Sequence, residues 1–421
     1  MINTITLHPG VRLRCCQDHR FKQGRITLQF VRPMCREEAT LNALLPMVLL
    51  RGTRLHPNLQ AITLHLDDLY GASVGDMVRR IGDYQTTGLY CTFTEDRFAL
   101  DGDEIFAPAA AFLKELLRDP LLETGSFNQA IVESEKKNLI ADLEAQKNDR
   151  AAYAGSQLLK TMCREDSFSI PRLGEKEAVA PITAKTLFDH YEMLLRSAQV
   201  EIFYVGSLDA NEVARSITPI FEGLDRQPEP LPGQTAFRDA GPAHNRETLD
   251  ISQSRLCMGF TTSITNQHED FPAMQVLNCI FGGGMTSKLF MNVREKMSLC
   301  YSIGSGYYGG KGLVTVSAGI DADKEDTVRQ EVLRQLRACA DGKISKEELD
   351  AAKEAVLSSL RSVMDSPGAI EGYFSTAALS GLNLSLDEYR RRIAGVTLED
   401  VCRAAGRIFF HSDFFLEGGA K

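Results

Sequence analysis

Two stretches of the sequence bring together residue types that can do chemistry. The segment CCQDH places Cys15, Cys16 and His19 close together, which suggests a set of metal ligands. The segment GGGMTSK (282–288) joins a glycine-rich turn to a lysine, which suggests a phosphate loop. It lacks the G-x-x-x-x-G-K-[ST] spacing, so a turn that lets two backbone segments approach closely explains it better. The end of a strand leading into a hairpin likewise explains CCQDH more simply.

The remaining histidines and cysteines offer no further site. Of the eight histidines, only His56 and His65 lie near each other in sequence. A stand-alone hydrolase that uses Cys or Ser needs a nucleophile beside a base, and the sequence locates no such pair.

Composition sets the class of protein. The chain has 421 residues, of which 43% are hydrophobic and 24% charged, so we expect a globular protein of two or more domains. A net charge of −9 gives no support to nucleic-acid binding, which needs clustered Lys and Arg. Neither a secretory leader nor an apolar run long enough for a membrane span is predicted. Ten scattered cysteines without a C-x-x-C pair indicate buried thiols in a reducing cytoplasm.

The elements that must position any site occur twice. A strand, an apolar helix and a glycine follow one another in ITLQFV…NALLPMVLLRG, and again in SRLCMGFTT…FPAMQVLNCIFGGG. Ser126 and Ser345 begin similar helical segments at an offset of 219, and Thr183 and Thr397 do so at an offset of 214. Two features at nearly one offset indicate a tandem repeat. We therefore predict two tandem homologous α+β domains, each an α/β sandwich.

A proline-rich segment lies near the middle of the chain. Residues 224–246 contain four prolines and little periodicity, which is typical of a linker. The predicted domains are residues 1–223 and 247–421.

The second half contains the segment FGGGMTSKLFMNVREKMSLCYSIGSGY (281–307). It resembles the second-half signature of the M16 peptidases, the family of pitrilysin, insulin-degrading enzyme and mitochondrial processing peptidase. The resemblance extends over almost the whole chain in the order of its elements. The amino-acid sequence of the first half is similar to those of the YmfF-like bacterial branch, which lacks zinc ligands. The resemblance implies the M16 peptidase (LuxS/MPP-like metallohydrolase) fold.

In active members of that family, the first helix carries His-x-x-Glu-His before a basic-Gly-Thr end. Counting back from Arg51-Gly52-Thr53, those places hold Ala43, Pro46 and Met47. None of these residues supplies an imidazole or carboxylate ligand or acts as a base. Pro46 is expected to kink this helix or to end a first turn. The family's third ligand is a Glu on a later helix, where Glu133 or Glu135 stands. The resemblance therefore implies no zinc in this chain.

Other residues match the family's substrate-facing positions. Arg294 and Tyr301 stand in the family pattern R-E-x-x-x-L-x-Y, whose Arg holds a substrate carbonyl and whose Tyr donates to the oxyanion. An Arg in a surface ion pair and a Tyr at the start of a strand would explain the same pattern without function. The resemblance also implies a substrate-facing loop at Gly282, Gly283 and Gly284.

A strand edge is the last of these positions. In active members, the strand after a glycine turn pairs with the extended substrate backbone. The matching residues here are Ser73, Val74, Gly75 and Asp76, and the last two differ from the residues that the active members have at these positions.

The resemblance implies a non-catalytic subunit of a heterodimeric zinc metallopeptidase. Its partner would be a sister chain with His-x-x-Glu-His that binds the zinc, and its substrate a peptide or unfolded polypeptide. The alternative is an M16-like scaffold or homodimeric binding protein with no peptidase role. A homodimer of the isolated chain is compatible with both.

Overall fold

The computed structural model describes residues 2–418, which form two compact units. Within the described residues, the first unit comprises 2–144, 170–233 and 364–376, and the second comprises 145–169, 234–363 and 377–418. Each unit is built around one β-sheet with helices packed on it. The mixed helix and sheet content confirms the predicted α+β class.

The strands of the two main sheets are 6 to 11 residues long, and the central strands are buried along most of their length. In chain order they are β1 (Ile2–His8), β2 (Val11–Gln17), β3 (Gln23–Pro33), β4 (Ser73–Ile81), β5 (Tyr84–Thr94), β6 (Leu122–Glu123), β7 (Ser126–Phe127), β8 (Gln199–Gly206), β9 (His244–Leu249), β10 (Ser254–Thr262), β11 (Ser302–Tyr308), β12 (Leu313–Ile320) and β13 (Ile408–Gly418).

The helices follow the apolar periodicity of the sequence. They are α1 (Arg36–Leu49), α2 (Leu59–Asp68), α3 (Phe106–Arg118), α4 (Gln129–Ala145), α5 (Arg150–Met162), α6 (Ala184–Ser197), α7 (Ala210–Ile217), α8 (Phe271–Phe281), α9 (Glu325–Ala340), α10 (Lys346–Ser362), α11 (Pro367–Ser380), α12 (Leu386–Gly395) and α13 (Leu398–Ala405). No helix within residues 2–418 has the length and apolar content to cross a membrane.

The two main sheets share one strand order. The first runs β1-β2-β8-β3-β5-β4, and the second runs β11-β12-β10-β13-β9. In the first sheet, the order β4-β5-β3-β8-β2 corresponds strand by strand to the order β11-β12-β10-β13-β9 of the second sheet. Each contains one parallel pair, β2 with β8 and β9 with β13. This common topology is the structural form of the sequence repeat, and β1 is an additional strand at one edge of the first sheet.

One segment of each sequence half belongs to the unit built mainly from the other half. In the second unit, α5 packs on β10 and β13, where Ala154 and Leu158 contact Cys257 and Phe414. In the first unit, Ile370 of α11 packs against Phe203 of β8. The units therefore differ from the predicted ranges 1–223 and 247–421 at residues 145–169 and 364–376.

A buried carboxylate fixes the late segment on the first sheet. Glu371 is 0% exposed, and its two oxygens accept hydrogen bonds of 2.9 and 2.7 Å from the guanidinium of Arg79. Gln29 and Thr27 of β3 and Ser375 also donate to it. Because a buried charge needs partners for its lone pairs, this set of donors determines where α11 lies.

The central linker is irregular but fixed. Residues 224–243 contain no helix or strand, and β9 begins at His244, inside the predicted linker 224–246. In the second unit, the backbone N–H of Arg238 donates to Asp166, and Asp239 forms an ion pair with His411. Hydrogen bonds rather than regular structure hold this part of the chain.

Helix caps account for the offset of 214 between Thr183 and Thr397. Thr183 and Thr397 both cap their helices through capping boxes, and so does Ser345. Ser126 does not have this role, because it lies in β7 and α4 begins three residues later. Asn128 instead accepts from the backbone N–H of Ile131. The true offset of these two helices is therefore shorter than the alignment of serines predicted.

Helix α1 continues through its proline. Pro46 lies in the last turn and lacks the N–H that would bond the carbonyl of Asn42. The Thr87 hydroxyl donates to that carbonyl at 2.5 Å, so the group stays satisfied. The helix ends at Leu49, not at the predicted Gly52, whose added Cβ would lie 2.9 Å from the carbonyl oxygen of Pro57.

A buried histidine joins α1 to α6. The Nε2 of His190 lies 2.8 Å from the Asn42 amide oxygen, and Asn42 donates to Gln85. Burial lowers the pKa of His190 from 6.5 to about 4, because a charged imidazole would lose its hydration. His190 is therefore neutral in the folded chain near neutral pH.

This burial predicts a specific acid sensitivity. The unfolded chain binds the His190 proton near pH 6.5 and the folded chain only near pH 4, so stability is complete above the first value and falls as the pH drops towards the second. We expect the wild-type chain to lose about 3 kcal/mol more than His190→Gln across this window. Urea unfolding at a series of pH values measures the difference. His19→Gln, at an exposed position, serves as the control, and its stability should depend on pH as that of the wild type does. If the free energy of unfolding falls equally with pH in the wild type and in His190→Gln, the buried neutral state of His190 is refuted.

Candidate functional site

The three zinc-motif positions lie on α1 in the first unit. Ala43 and Pro46 are buried, and Met47 is partly buried against the same apolar core. Their side chains offer no nitrogen and no hard oxygen atom. The residues present therefore do not fit the zinc ion that the resemblance associates with this helix.

The carboxylate at the third-ligand position has another partner. Glu135 of α4 is buried and forms an ion pair with Arg51, directly after α1. Asn138 also donates to Glu135, at 3.1 Å. Glu133 is on the solvent side of the helix, where it binds Lys136. The Arg51 guanidinium thus supplies the positive charge that Glu135 needs in its buried position.

The other candidate ligands do not form a metal site. Cys15 and Cys16 are adjacent in β2, so their side chains point to opposite faces, and burial raises the pKa of both thiols. His56 and His65 have rings 4.5 Å apart, and Nδ1 of His56 lies 2.8 Å from Glu115. Among the described residues, no group of three or more His, Cys, Asp or Glu side chains is placed to hold a metal ion.

Arg294 and Tyr301 line one pocket of the second unit. Arg294 lies in the last turn of a π-helix (Leu289–Lys296), and Tyr301 directly precedes β11. The pocket has a volume of about 340 Å³. Its lining residues are Arg294, Glu295, Ser298, Leu299, Cys300, Tyr301, Asp321 and Lys324. The structure therefore brings together the two residues that the family pattern selects.

A strained turn places this pair. Ser298 has a left-handed backbone with φ of 52°, which is costly for a residue other than glycine. Its N–H donates to the carbonyl of Arg294 at 3.0 Å, and Leu299 donates to Val293. This arrangement ends the π-helix and turns the chain towards β11, so that both side chains reach the same pocket.

The two side chains differ in their contacts. The Arg294 guanidinium stacks on Phe290 at 4.6 Å and has Glu295 at 3.6 Å, and it donates no hydrogen bond within residues 2–418. Tyr301 is 61% exposed, and its hydroxyl donates to Asp321 at 3.1 Å. Hydrogen bonds from Lys324 and then Tyr301 hold the pKa of Asp321 below its ordinary value. The pocket thus contains a guanidinium with unused donors and a hydroxyl held by an exposed carboxylate.

Asp321 and Lys324 belong to this pocket but were not predicted. They follow β12, and Tyr301 precedes β11, so the antiparallel pairing of these strands brings them together. Only the register of the strands could have revealed the contact.

The three glycines have different roles. A Cβ on Gly282 would lie 2.7 Å from the backbone nitrogen of Ser305, whose N–H donates to the Gly282 carbonyl at 3.0 Å. Gly282 therefore allows the close approach of two backbone segments. Gly283 and Gly284 are exposed, and a Cβ on Gly284 would meet open space. The structure leaves the predicted role in substrate contact as a prediction.

Ser73, Val74, Gly75 and Asp76 begin the edge strand β4 of the first sheet. Ser73 and Asp76 are exposed, and a Cβ on Gly75 would lie 2.6 Å from the ring of Tyr90. The flat face of Tyr90 therefore requires the glycine. These residues lie at a strand edge as predicted, while pairing with a substrate stays a prediction.

The Arg51–Glu135 pair predicts a stability difference between two nearby arginines. Arg51→Met would leave a buried carboxylate without its cation, so we expect a loss of about 2–4 kcal/mol in the free energy of unfolding. Arg54, whose pair with Asp119 is exposed at 3.9 Å, is the matched control, and Arg54→Met should cost less than about 1 kcal/mol. Chemical denaturation measures both. Equal effects of the two substitutions would contradict the role assigned to Arg51.

Comparisons with known proteins agree with this geometry. The family model described as the peptidase M16 inactive domain matches residues 181–356. A relative described as "Probable inactive metalloprotease YmfF", from Bacillus subtilis (strain 168), is 28% identical over 411 residues and is covered to 96%, with 98% of this chain aligned.

Solved structures extend the likeness to the whole chain. A conserved protein from Enterococcus faecalis V583 superposes with a TM-score of 0.91 at 28% identity, covering 100% of this chain and 99% of that one. The peptidase M16 inactive domain from Pseudomonas fluorescens shares the fold with a TM-score of 0.81 at 19% identity, covering 100% of this chain and 98% of that chain. Together with the replaced zinc-motif residues, these matches, which extend over nearly the whole chain, support the M16 peptidase family and its inactive, YmfF-like branch.

Proposed function

We propose that this chain is the non-catalytic subunit of a heterodimeric M16-type zinc peptidase. In this proposal Arg294 and Tyr301 act on a peptide at a zinc site carried by a sister chain with His-x-x-Glu-His. The observation that carries it is the pocket that both residues line, where the Arg294 guanidinium keeps its hydrogen-bond donors unused among the described residues.

The chemistry of the two side chains suits peptide hydrolysis. A phenol hydroxyl can donate to the oxyanion that forms at a scissile carbonyl, and this bond strengthens as the negative charge develops. A guanidinium can hold a neighbouring backbone carbonyl through a charge-assisted bond. Tyr301 must exchange its bond to Asp321 for one to the substrate, and its exposure makes that exchange inexpensive.

Two backbone features support an extended polypeptide as the substrate. The exposed Gly283 and Gly284 leave main-chain groups accessible, and β4 is an edge strand whose outer side can pair with another strand. Pairing of this kind is largely independent of sequence, because main-chain bonds supply the affinity. We place the protein in the cytoplasm, and the ten cysteines, none of which forms a disulfide within the described residues, support this.

A scaffold or homodimeric binding protein without a peptidase role is the second candidate. The contacts of Tyr301 with Asp321 and of Arg294 with Phe290 favour it, because they give both side chains a place in the folded chain without substrate. In this case the two residues stabilise the turn at Ser298 and have no effect on turnover.

The metal content of the purified chain is the first test. We expect no stoichiometric zinc and no cleavage of an unstructured peptide, because Ala43, Pro46 and Met47 supply no ligand and Arg51 neutralises Glu135. Elemental analysis after dialysis and a peptidase assay on the chain alone measure this. One zinc ion per chain would contradict the conclusion that α1 supplies no zinc ligand.

Two substitutions test the role of the pocket in the complex. The partner is identified by pull-down from native lysate as a chain with His-x-x-Glu-His, and the pair is reconstituted. Tyr301→Phe should leave the heterodimer intact and lower kcat by about 10²–10³, the usual effect of losing one oxyanion donor. Arg294→Ala should chiefly weaken peptide binding, by roughly 1.5–3 kcal/mol.

Matched controls separate function from packing. Tyr308→Phe removes a hydroxyl from the far end of β11, the strand that Tyr301 precedes, and Arg391→Ala removes an exposed guanidinium from α12. Both should keep the wild-type rate per folded complex. If the pocket only stabilises the fold, Tyr301→Phe and Arg294→Ala will lower the melting temperature at unchanged specific activity, and the scaffold reading is then correct.

A further inference from the structure

The side chain of Tyr301 is held by a single carboxylate. The backbone N–H of this residue donates to the carbonyl of Gly319 at 2.8 Å, which fixes its main chain near the end of β12. The side chain is 61% exposed, and its bond to Asp321 is the one hydrogen bond that it makes within residues 2–418. Because the ring has little packing around it, the carboxylate of Asp321 determines where the hydroxyl lies.

Asp321 does not serve its own turn as a helix cap. It occupies the N-cap position of the 3₁₀ turn 322–324, where an aspartate usually accepts from a backbone N–H. Asp149 and Asp209 cap α5 and α7 in this way, whereas the side chain of Asp321 makes no cap bond. Its carboxylate instead lines the pocket that contains Arg294 and Tyr301.

Lys324 binds the second oxygen of the same carboxylate. Its Nζ donates to Oδ2 at 2.9 Å, while the Tyr301 hydroxyl donates to Oδ1 at 3.1 Å. A cation beside one oxygen reduces the negative potential at the other oxygen. Lys324 therefore makes Asp321 a weaker acceptor for the hydroxyl of Tyr301.

The hydroxyl of Tyr301 cannot serve two acceptors at once. A phenol has a single O–H donor, and the proposed reaction needs that donor at the oxyanion. An ionised carboxylate accepts a hydrogen bond more strongly than a neutral carbonyl does, so a substrate carbonyl does not displace Asp321 in the ground state. Only the oxyanion carries enough charge to do so. The breaking of the Tyr301–Asp321 bond is then part of the activation barrier.

We propose that Asp321 and Lys324 are positioning residues that set how readily the Tyr301 hydroxyl passes to the substrate. Asp321 holds the hydroxyl in the resting chain, and Lys324 weakens that hold. The inference rests on the proposed function of Tyr301, because both residues act through that side chain and not on the substrate itself. Although the two residues form one ion pair, they have opposite effects on turnover.

Kinetics of the reconstituted complex on an internally quenched, unstructured peptide test this arrangement. Asp321→Asn leaves a neutral acceptor for the hydroxyl, so we expect kcat/KM to rise by about three- to tenfold. Lys324→Met leaves the carboxylate without its cation, so we expect kcat/KM to fall by about two- to threefold. In a Tyr301→Phe background both substitutions should be silent, because no hydroxyl is left to hold.

Matched controls remove the same charges elsewhere in the second unit. Asp323 is exposed in the same 3₁₀ turn, and Lys343 forms a comparable pair with Asp341 at 3.4 Å. Asp323→Asn and Lys343→Met should both leave kcat/KM unchanged. If the Asp321–Lys324 pair only stabilised its turn, Asp321→Asn and Lys324→Met would instead act in the same direction.

The outcomes separate this inference from the proposed function. Changes of kcat/KM in the same direction, or effects that persist in the Tyr301→Phe background, overturn the roles of Asp321 and Lys324. The proposed function still stands in that case, provided that Tyr301→Phe alone lowers turnover. If Tyr301→Phe leaves turnover unchanged, the proposed function fails and the inference fails with it.

The hold on the hydroxyl is also measurable in this chain without a partner. In a sample labelled with ¹³C at tyrosine Cζ, the resonance that Tyr301→Phe removes belongs to Tyr301. Asp321→Asn should shift this resonance, because the hydroxyl loses its charged acceptor, whereas Asp323→Asn should leave it in place. An unshifted resonance in Asp321→Asn overturns the proposal whatever the kinetics show.

Discussion

The carboxylate of Glu371 is the constraint on which the first unit depends. It has no exposure to water, so its charge is tolerated only because Arg79 binds both oxygens and three neutral groups donate to it. Arg79 belongs to β4, the edge strand proposed to meet substrate, whereas Thr27 and Gln29 belong to the sheet centre. A single buried charge therefore fixes the late helix, the centre of the sheet and the edge strand β4 to one another.

The same electrostatic requirement explains how the fold persists without its metal. In active members of the family that the chain resembles, the Glu at the position of Glu135, on the helix that corresponds to α4, is a zinc ligand. Here Arg51 approaches Glu135 from the end of α1, and the core closes around Ala43 and Met47. Pro46 is compatible with the helix because Thr87 satisfies the carbonyl that it leaves free. The helix that carries the zinc motif in active members is thus present here as α1, which packs on the core and is linked to α4 by the Arg51–Glu135 ion pair.

Much of the fold could be predicted from the sequence, because it rests on local patterns. The alternation in ITLQFV, the apolar face of α1 and the threonine caps at 183 and 397 are all visible in short windows of sequence. Arg294 and Tyr301 were selected by the resemblance to the family pattern, and the structure places both in the lining of one pocket. The contacts of Tyr301 with Asp321 and of Arg79 with Glu371 could not be predicted, since they depend on strand register and on a helix from distant sequence. Propensity likewise gave no sign that the central linker is held by side chains such as Asp166.

The exchange of segments has a consequence for synthesis of the chain. Thr27 and Gln29 reach a ribosome's exit tunnel early, yet their partner Glu371 lies 344 and 342 residues further on. The face of the first sheet that carries Thr27, Gln29 and Phe203 therefore lacks its covering helix until nearly the whole polypeptide has been made. Contacts of such long sequence separation slow folding and expose incomplete intermediates to aggregation. A chain cut at the central linker would consequently yield a first half with all six strands of its sheet but without the helix α11 that covers Thr27 and Gln29, although its repeat looks self-contained in sequence.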